Sequence, residues 1–160
     1  MDKVMYSSKS NEWETPEDLF NELDAEFHFT LDPCCTHENA KCDKHYTIDD
    51  DGLSKSWTGE TVFMNPPYGR DIGKWIRKAY EESLNGAVVV CLIPARTDTS
   101  YWHDFVTRGE VRFIRGRVKF QNRLLPSWRS DGSHKVSGAP FPSAIVVYTA
   151  PDGVKGDEDD

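Results

Sequence analysis

Residues 61–64, Thr-Val-Phe-Met, form a short run of β-formers and apolar side chains that reads as a buried strand. Pro66 and Pro67 follow one residue later. Neither has an N–H to give to a ladder, so the strand must stop there. Its end carries the amide of Asn65, two rigid rings, the phenol of Tyr68 and then Gly69. Open α/β sheets bind ligands beyond the carboxyl ends of their strands, which makes this turn a candidate site. The same residues also suit a plain Pro-Pro turn with a solvated Asn and a packed Tyr. The rest of the chain has to choose between the two.

The flanking segments alternate between helix and strand. Thr15 is expected as the N-cap of a first helix, with Pro16 at its first position and Glu17 and Asp18 in its first turn. Leu19, Phe20 and Leu23 give that helix an apolar face up to about Phe27. Thr15 there is a cap, although a helix N-terminus is equally an anion site suited to a carboxylate. Residues 27–31 alternate as a strand, ended by Asp32-Pro33-Cys34-Cys35. An acid in that place is where α/β folds grip a cofactor. A helix over 38–44 and a short strand over 45–48 lead into Asp49-Asp50-Asp51-Gly52, either a solvated loop or one that binds ribose and amine groups. After the 61–64 strand, 71–84 reads as a helix with Ile72, Trp75, Ile76, Ala79 and Tyr80 on one face, closed by Asn85-Gly86. Residues 87–93 are continuously apolar, as a strand buried on both faces requires. A helix over 99–107, a strand over 111–120, a long loop over 126–142 and a buried strand over 143–148 complete the chain.

Only the last two strands lack a helix between them. The pattern therefore predicts a three-layer α/β/α domain, its sheet mostly parallel with an antiparallel terminal strand. The expected layout is a loose segment over 1–12, one domain over 13–150, and an acidic, disordered tail over 151–160.

Charge bears on the partner. The chain has 160 residues and a formal net charge of −8, which at first argues against nucleic acid. The charge is uneven, however. Residues 152–160 hold five acids and one lysine, whereas 108–135 hold eight bases against Glu110 and Asp131. A basic segment interleaved with Phe113, Phe120 and Trp128 suits a phosphate backbone and its bases, though it is also what a solvated face can look like. No apolar run approaches the ~20 residues of a membrane span. The first residues show no apolar core of a signal peptide, so a cytoplasmic protein with reduced cysteines is expected. Cys34, Cys35, His37, Cys42 and His45 are zinc-ligand types within twelve positions. Their spacing is wrong for a zinc finger, and no metal is expected.

Taken in order, Trp13-x-Thr15-Pro16, Leu31-Asp32-Pro33-Cys34, Glu38-Asn39-Ala40-Lys41-Cys42, Asp50-Asp51-Gly52-Leu53-Ser54-x-x-Trp57, Asn65-Pro66-Pro67-Tyr68-Gly69 and Gly116-Arg117-Val118-Lys119-Phe120 resemble the phage-type (Dam-like) DNA N6-adenine methyltransferases. These are Rossmann-like enzymes that use S-adenosylmethionine. The set runs from Trp13 to Phe120, within a strand and helix pattern that continues to Tyr148. It departs from larger methyltransferases in having Asp32-Pro-Cys-Cys-Thr where they carry a glycine-rich loop.

The resemblance implies a catalytic turn at Asn65, Pro66, Pro67 and Tyr68. It places Trp13, Thr15, Pro16, Asp32, Pro33, Cys34, Asp50, Asp51 and Asn65 around the cofactor, with the Thr15-Pro16 turn at the methionine carboxylate and Asp51 favoured among the three acids. Arg115, Arg117, Lys119 and Arg123 are the candidates for contact with double-stranded DNA, and the 126–142 loop for reading its sequence. The chemistry fits the turn. An adenine amine is a poor nucleophile because its lone pair is delocalised into the ring. Oxygens of Asn65 and Pro66 accepting both N6 hydrogens would localise that pair, and a Pro-Pro backbone holds such a carbonyl in place. Tyr68 would stack on a base flipped out of the duplex. Methyl transfer to RNA adenine or to a protein glutamine uses a similar motif, and a non-catalytic DNA-binding module is the rival of another class.

Overall fold

The computed structural model describes residues 13–120 and 138–150. The expected loose start, the acidic tail, Arg123 and most of the long loop lie outside the described residues.

The architecture is mixed α/β around a four-stranded sheet. Helix α1 (Glu17–Phe27) precedes strand β1 (Thr61–Met64), helix α2 (Ile72–Leu84), strand β2 (Val88–Pro94), helix α3 (Ser100–Asp104), strand β3 (Glu110–Phe113) and strand β4 (Ser143–Tyr148). Single 3-10 turns stand at Gly52–Ser54 and Val106–Arg108. The strand order is β1-β2-β4-β3.

The expectation of a mostly parallel sheet is corrected. Of the three ladders, β1–β2 is parallel and both ladders of β4 are antiparallel. The last strand is antiparallel as expected, yet it sits inside the sheet between β2 and β3 rather than on its edge. Its six residues are all buried, and burial on both faces is why the strand is apolar after Ser143. β2 is interior for the same reason, flanked by β1 and β4.

Phe20 of α1 stands edge-on to Phe63 of β1 at 5.2 Å, while Tyr80 of α2 meets Tyr148 of β4 at 5.9 Å. On α2, Ile72, Trp75, Ile76 and Ala79 are buried, the spacing of a single helical face.

Four segments differ from the sequence reading. Residues 27–31 form no strand, because α1 runs through Phe27 and ends at His28 in the left-handed region (φ 60). Only Leu31 then bridges to Val62. Residues 38–44 form turns rather than a helix. Thr36 and Asn39 exchange side-chain bonds with each other's backbone N–H groups, which closes a turn locally. Residues 45–48 reduce to a bridge between His45 and Asp32. β3 stops at Phe113; beyond it Gly116 takes φ 78, and Val118 accepts a backbone bond from Ala139.

Candidate active site

Asn65 follows directly on β1, at the carboxyl end of the parallel pair. Its Nδ2 donates to the Trp13 carbonyl and, at 2.9 Å, to Thr15 Oγ1. A backbone carbonyl can only accept, so the nitrogen must be the end of the amide that faces Trp13. The other end, Oδ1, is buried and has no partner among the described residues. Buried acceptors are nearly always satisfied, and one left open at a strand end is a place where a ligand N–H belongs.

Thr15 is 4% exposed and does not cap α1. Pro16 holds the N-cap position and no side chain caps the helix. The Thr15 hydroxyl is turned out of its own helix onto Asn65, and the expectation that Thr15 is a plain cap is corrected. Pro16 contributes its carbonyl to the first helical bond, from Phe20 N–H.

The 32–34 loop comes up to the same residue at its backbone, where the Cys34 thiol lies beside the Asn65 N–H. Burial above all, with the nearby Asp32 carboxylate, drives the Cys34 thiol well above its ordinary range, so it is a packing group and no nucleophile. Asp32 is 4% exposed and turns inward: its two oxygens accept from the backbone N–H groups of Cys34 (3.4 Å) and Lys41 (3.0 Å). Burial outweighs those bonds and raises its carboxyl to about 6. Asp32 thus shapes the loop, and its carboxylate is not presented outward. Pro33 lies against Gly52, whose backbone passes so close to the Pro33 carbonyl that a Cβ would stand 2.1 Å from the oxygen.

The acidic run divides. Asp50 turns back onto the N–H (2.8 Å) and hydroxyl of Thr47, and that bond to the Thr47 backbone is the main reason its pKa falls. Asp51 is exposed, holds a left-handed backbone (φ 57), and its carboxylate has no bond among the described residues. A non-glycine residue held in that region costs about 1 kcal/mol. Gly52 is then locked from behind, its carbonyl accepting from the Trp57 indole N–H at 3.1 Å.

Pro66 is buried and Pro67 exposed. Tyr68 is 3% exposed; its hydroxyl donates to the Leu92 carbonyl at 3.0 Å. Phe141 and Phe120 meet its ring at 5.5 and 6.1 Å. Its ring is therefore not open to stack on a base in this arrangement, contrary to expectation. The same two phenylalanines stand edge-on to Trp13, and Arg96 covers Phe141. Sequence reasoning missed Arg96, Phe120 and Phe141 as neighbours of the turn. The one available signal was Arg96 two residues beyond Pro94, at another strand's carboxyl end.

Of the expected DNA contacts, Arg115, Arg117 and Lys119 are exposed, and Arg117 also donates to the Ala139 carbonyl at 3.1 Å. Arg112 is tied to Glu26 and Glu110, while Arg108 bonds the Asp104 carbonyl and lies over Tyr80. Among the described residues no group of three or more His, Cys, Asp or Glu side chains is placed to hold a metal, and no helix is long and apolar enough to cross a membrane. A cavity of about 420 Å³ lined by Tyr80, Ser83, Arg108 and Tyr148 lies at the far end of the sheet, since Tyr148 pairs with Val89 near the start of β2.

The turn, its orphaned acceptor and the two loops around it can be compared with known proteins. Residues 4–152 match the family described as DNA N-6-adenine-methyltransferase (Dam). The DNA N-6-adenine-methyltransferase of Haemophilus phage HP1 is 29% identical over 138 residues, covering 85% of this chain and 77% of the relative. That of Escherichia phage T1 is 30% identical over 93 residues, 56% of this chain and 38% of the relative. With nearly its whole length matched, this chain belongs to the DNA N-6-adenine-methyltransferase (Dam) family.

Proposed function

We propose that the protein transfers a methyl group from S-adenosylmethionine to the N6 amine of an adenine flipped out of double-stranded DNA. The observation that carries this reading is the buried, unpartnered Oδ1 of Asn65, left open at the end of β1 one residue before Pro66 while Nδ2 is held by the Trp13 carbonyl. Those two oxygens accept the two N6 hydrogens and localise the amine lone pair. The methyl donor, when bound, supplies a methyl already activated on a sulfonium, so no protein nucleophile is required.

The residues present fit such a donor. Asp51, exposed and without a side-chain bond among the described residues, is the acid for the adenosine hydroxyls. Pro33 and Gly52 form a cradle with no room for a side chain. The Thr15 hydroxyl accepts from Asn65 and keeps its own proton to give to a carboxylate. Phe20 of α1 and Tyr80 of α2 meet alternate residues of the sheet, which supports a Rossmann-like three-layer arrangement. The Trp13, Phe120, Phe141 and Tyr68 cluster is the aromatic wall for the base, and Tyr68 itself contacts it only when Phe120 and Phe141 give way. Arg115 and Lys119 face the phosphates.

The test is transfer of labelled methyl to unmethylated duplex DNA, followed by digestion for N6-methyladenine, with RNA and glutamine-peptide arms. Asn65→Ala is expected to lower transfer at least ~100-fold. Transfer that survives this change sinks the mechanism, and label appearing only in the RNA or peptide arm overturns the substrate.

A further inference from the structure

A side-chain amide has two ends of nearly equal shape, and rotation about its last torsion is soft and roughly two-fold. For Asn65 the choice of end is decisive. With Oδ1 left open it accepts from an amine; turned over, it would present N–H donors to a group that itself donates. Something must hold the right end out.

We infer that Thr15 is a positioning residue that sets the orientation of the Asn65 amide and leaves Oδ1 as its open acceptor. This rests on the methyl-transfer reading of the turn. The nitrogen of Asn65 has two hydrogens, and two acceptors converge on it: the Trp13 carbonyl and Thr15 Oγ1, the latter at 2.9 Å. Both donors are thereby used and only Oδ1 remains open. Were the amide turned over, Oδ1 would face the Trp13 carbonyl, acceptor against acceptor. The Trp13 carbonyl biases the choice, and Thr15 completes it.

Thr15 is available for this because Pro16 displaces it from the capping position of α1. It is buried, so water does not compete for its hydroxyl. It also lies 50 positions from Asn65 in the chain. The catalytic amide is therefore preorganised only when the segment before α1 is docked on the end of β1, and preorganised donors and acceptors do most of their work by needing no rearrangement.

Thr15→Val keeps the shape and removes the acceptor; Thr15→Ser restores it. The first measurement uses the full isotope-labelled chain without donor or DNA and follows hydrogen exchange at the Asn65 side-chain amide. In Thr15→Val that amide is expected to exchange about tenfold faster, the worth of one hydrogen bond, with Thr15→Ser close to wild type. The second measurement is kinetic. With S-adenosylmethionine saturating, Thr15→Val is expected to lower kcat about tenfold at unchanged KM for DNA, and to add nothing to kcat in an Asn65→Ala background. Wild-type exchange rates in Thr15→Val, or a kcat loss that multiplies fully with Asn65→Ala, overturns the inference. A wild-type protein that methylates no adenine removes the reading of the site, and the exchange experiment then still decides what Thr15 does to the amide.

Discussion

Gly52 and Pro33 are in backbone contact: a Cβ built on Gly52 would stand 2.1 Å from the Pro33 carbonyl oxygen and 3.2 Å from the Trp75 ring. Because the obstacle at 2.1 Å is backbone, it cannot step aside as a side-chain tip can. Gly52→Ala is therefore expected to push the Asp51 loop away from Pro33, lowering stability by about 1–3 kcal/mol and weakening S-adenosylmethionine about tenfold in a calorimetric titration. Gly59→Ala is the comparison, since Gly59 has a positive φ of 81 and nothing within 4 Å of a Cβ. It is expected to lose only about 1 kcal/mol and no affinity. Equal effects of the two changes would mean that the Pro33 contact does not shape the cofactor loop.

Tyr68 points its hydroxyl into the sheet, at the Leu92 carbonyl. Tyr68→Phe leaves that buried carbonyl short of a donor and is expected to reduce stability by about 1–2 kcal/mol in urea melts. The rate of methyl transfer at saturating substrates is expected to stay within about twofold, because only the ring belongs to the proposed aromatic wall. A large drop in kcat with unchanged stability would show that the phenol acts on the substrate instead.

The contrast between Thr15 and the interior strands explains what was legible before the structure. Residues 87–93 and 143–148 could be read as strands because burial on both faces demands a largely apolar run, 61–64 because a short run of β-formers ends at two prolines, and α2 because one face repeats at helical spacing. The turn at Asn65 was legible because two prolines can do little else. Thr15 was misread because the local rule, a threonine before a proline and two acids, lost to a bond made 50 positions away. The same holds for Tyr68, enclosed by Phe120 and Phe141, and for the 27–31 strand, cut short where His28 turns left-handed. Asp32 was read at the end of a strand where the structure has only isolated bridges, and its backbone partners show that its carboxylate faces inward.

Among the described residues, Arg112 is committed to carboxylates of the fold and Arg115 is not. Arg112 holds Glu26 through both terminal nitrogens at 2.8 Å, while Arg115 is exposed. In anisotropy titrations of duplex DNA at several salt concentrations, Arg115→Ala is expected to flatten the slope of log K against log salt by about 0.9, the worth of one phosphate contact. Arg112→Ala is expected to leave the slope unchanged. If both variants, or neither, change it, the phosphate track does not run past Arg115.

Asp32 should leave a mark on the pH dependence of stability. Burial raises its carboxyl from 3.8 to about 6 in the folded protein, so the folded state holds the proton more tightly than the unfolded chain. The stability this contributes is full below pH about 4 and is lost as pH rises through about 6. Asp32→Asn carries no titrating proton and loses the dependence, although it is less stable at every pH, since its amide can accept from only one of the Cys34 and Lys41 N–H groups. The stability of wild type relative to Asp32→Asn, from urea melts, is expected to fall by about 1–2 kcal/mol between pH 5 and pH 8. A difference that is flat, or that grows with pH, would mean that the carboxylate is solvated or paired in solution and that the 32–34 loop is more open than it stands here.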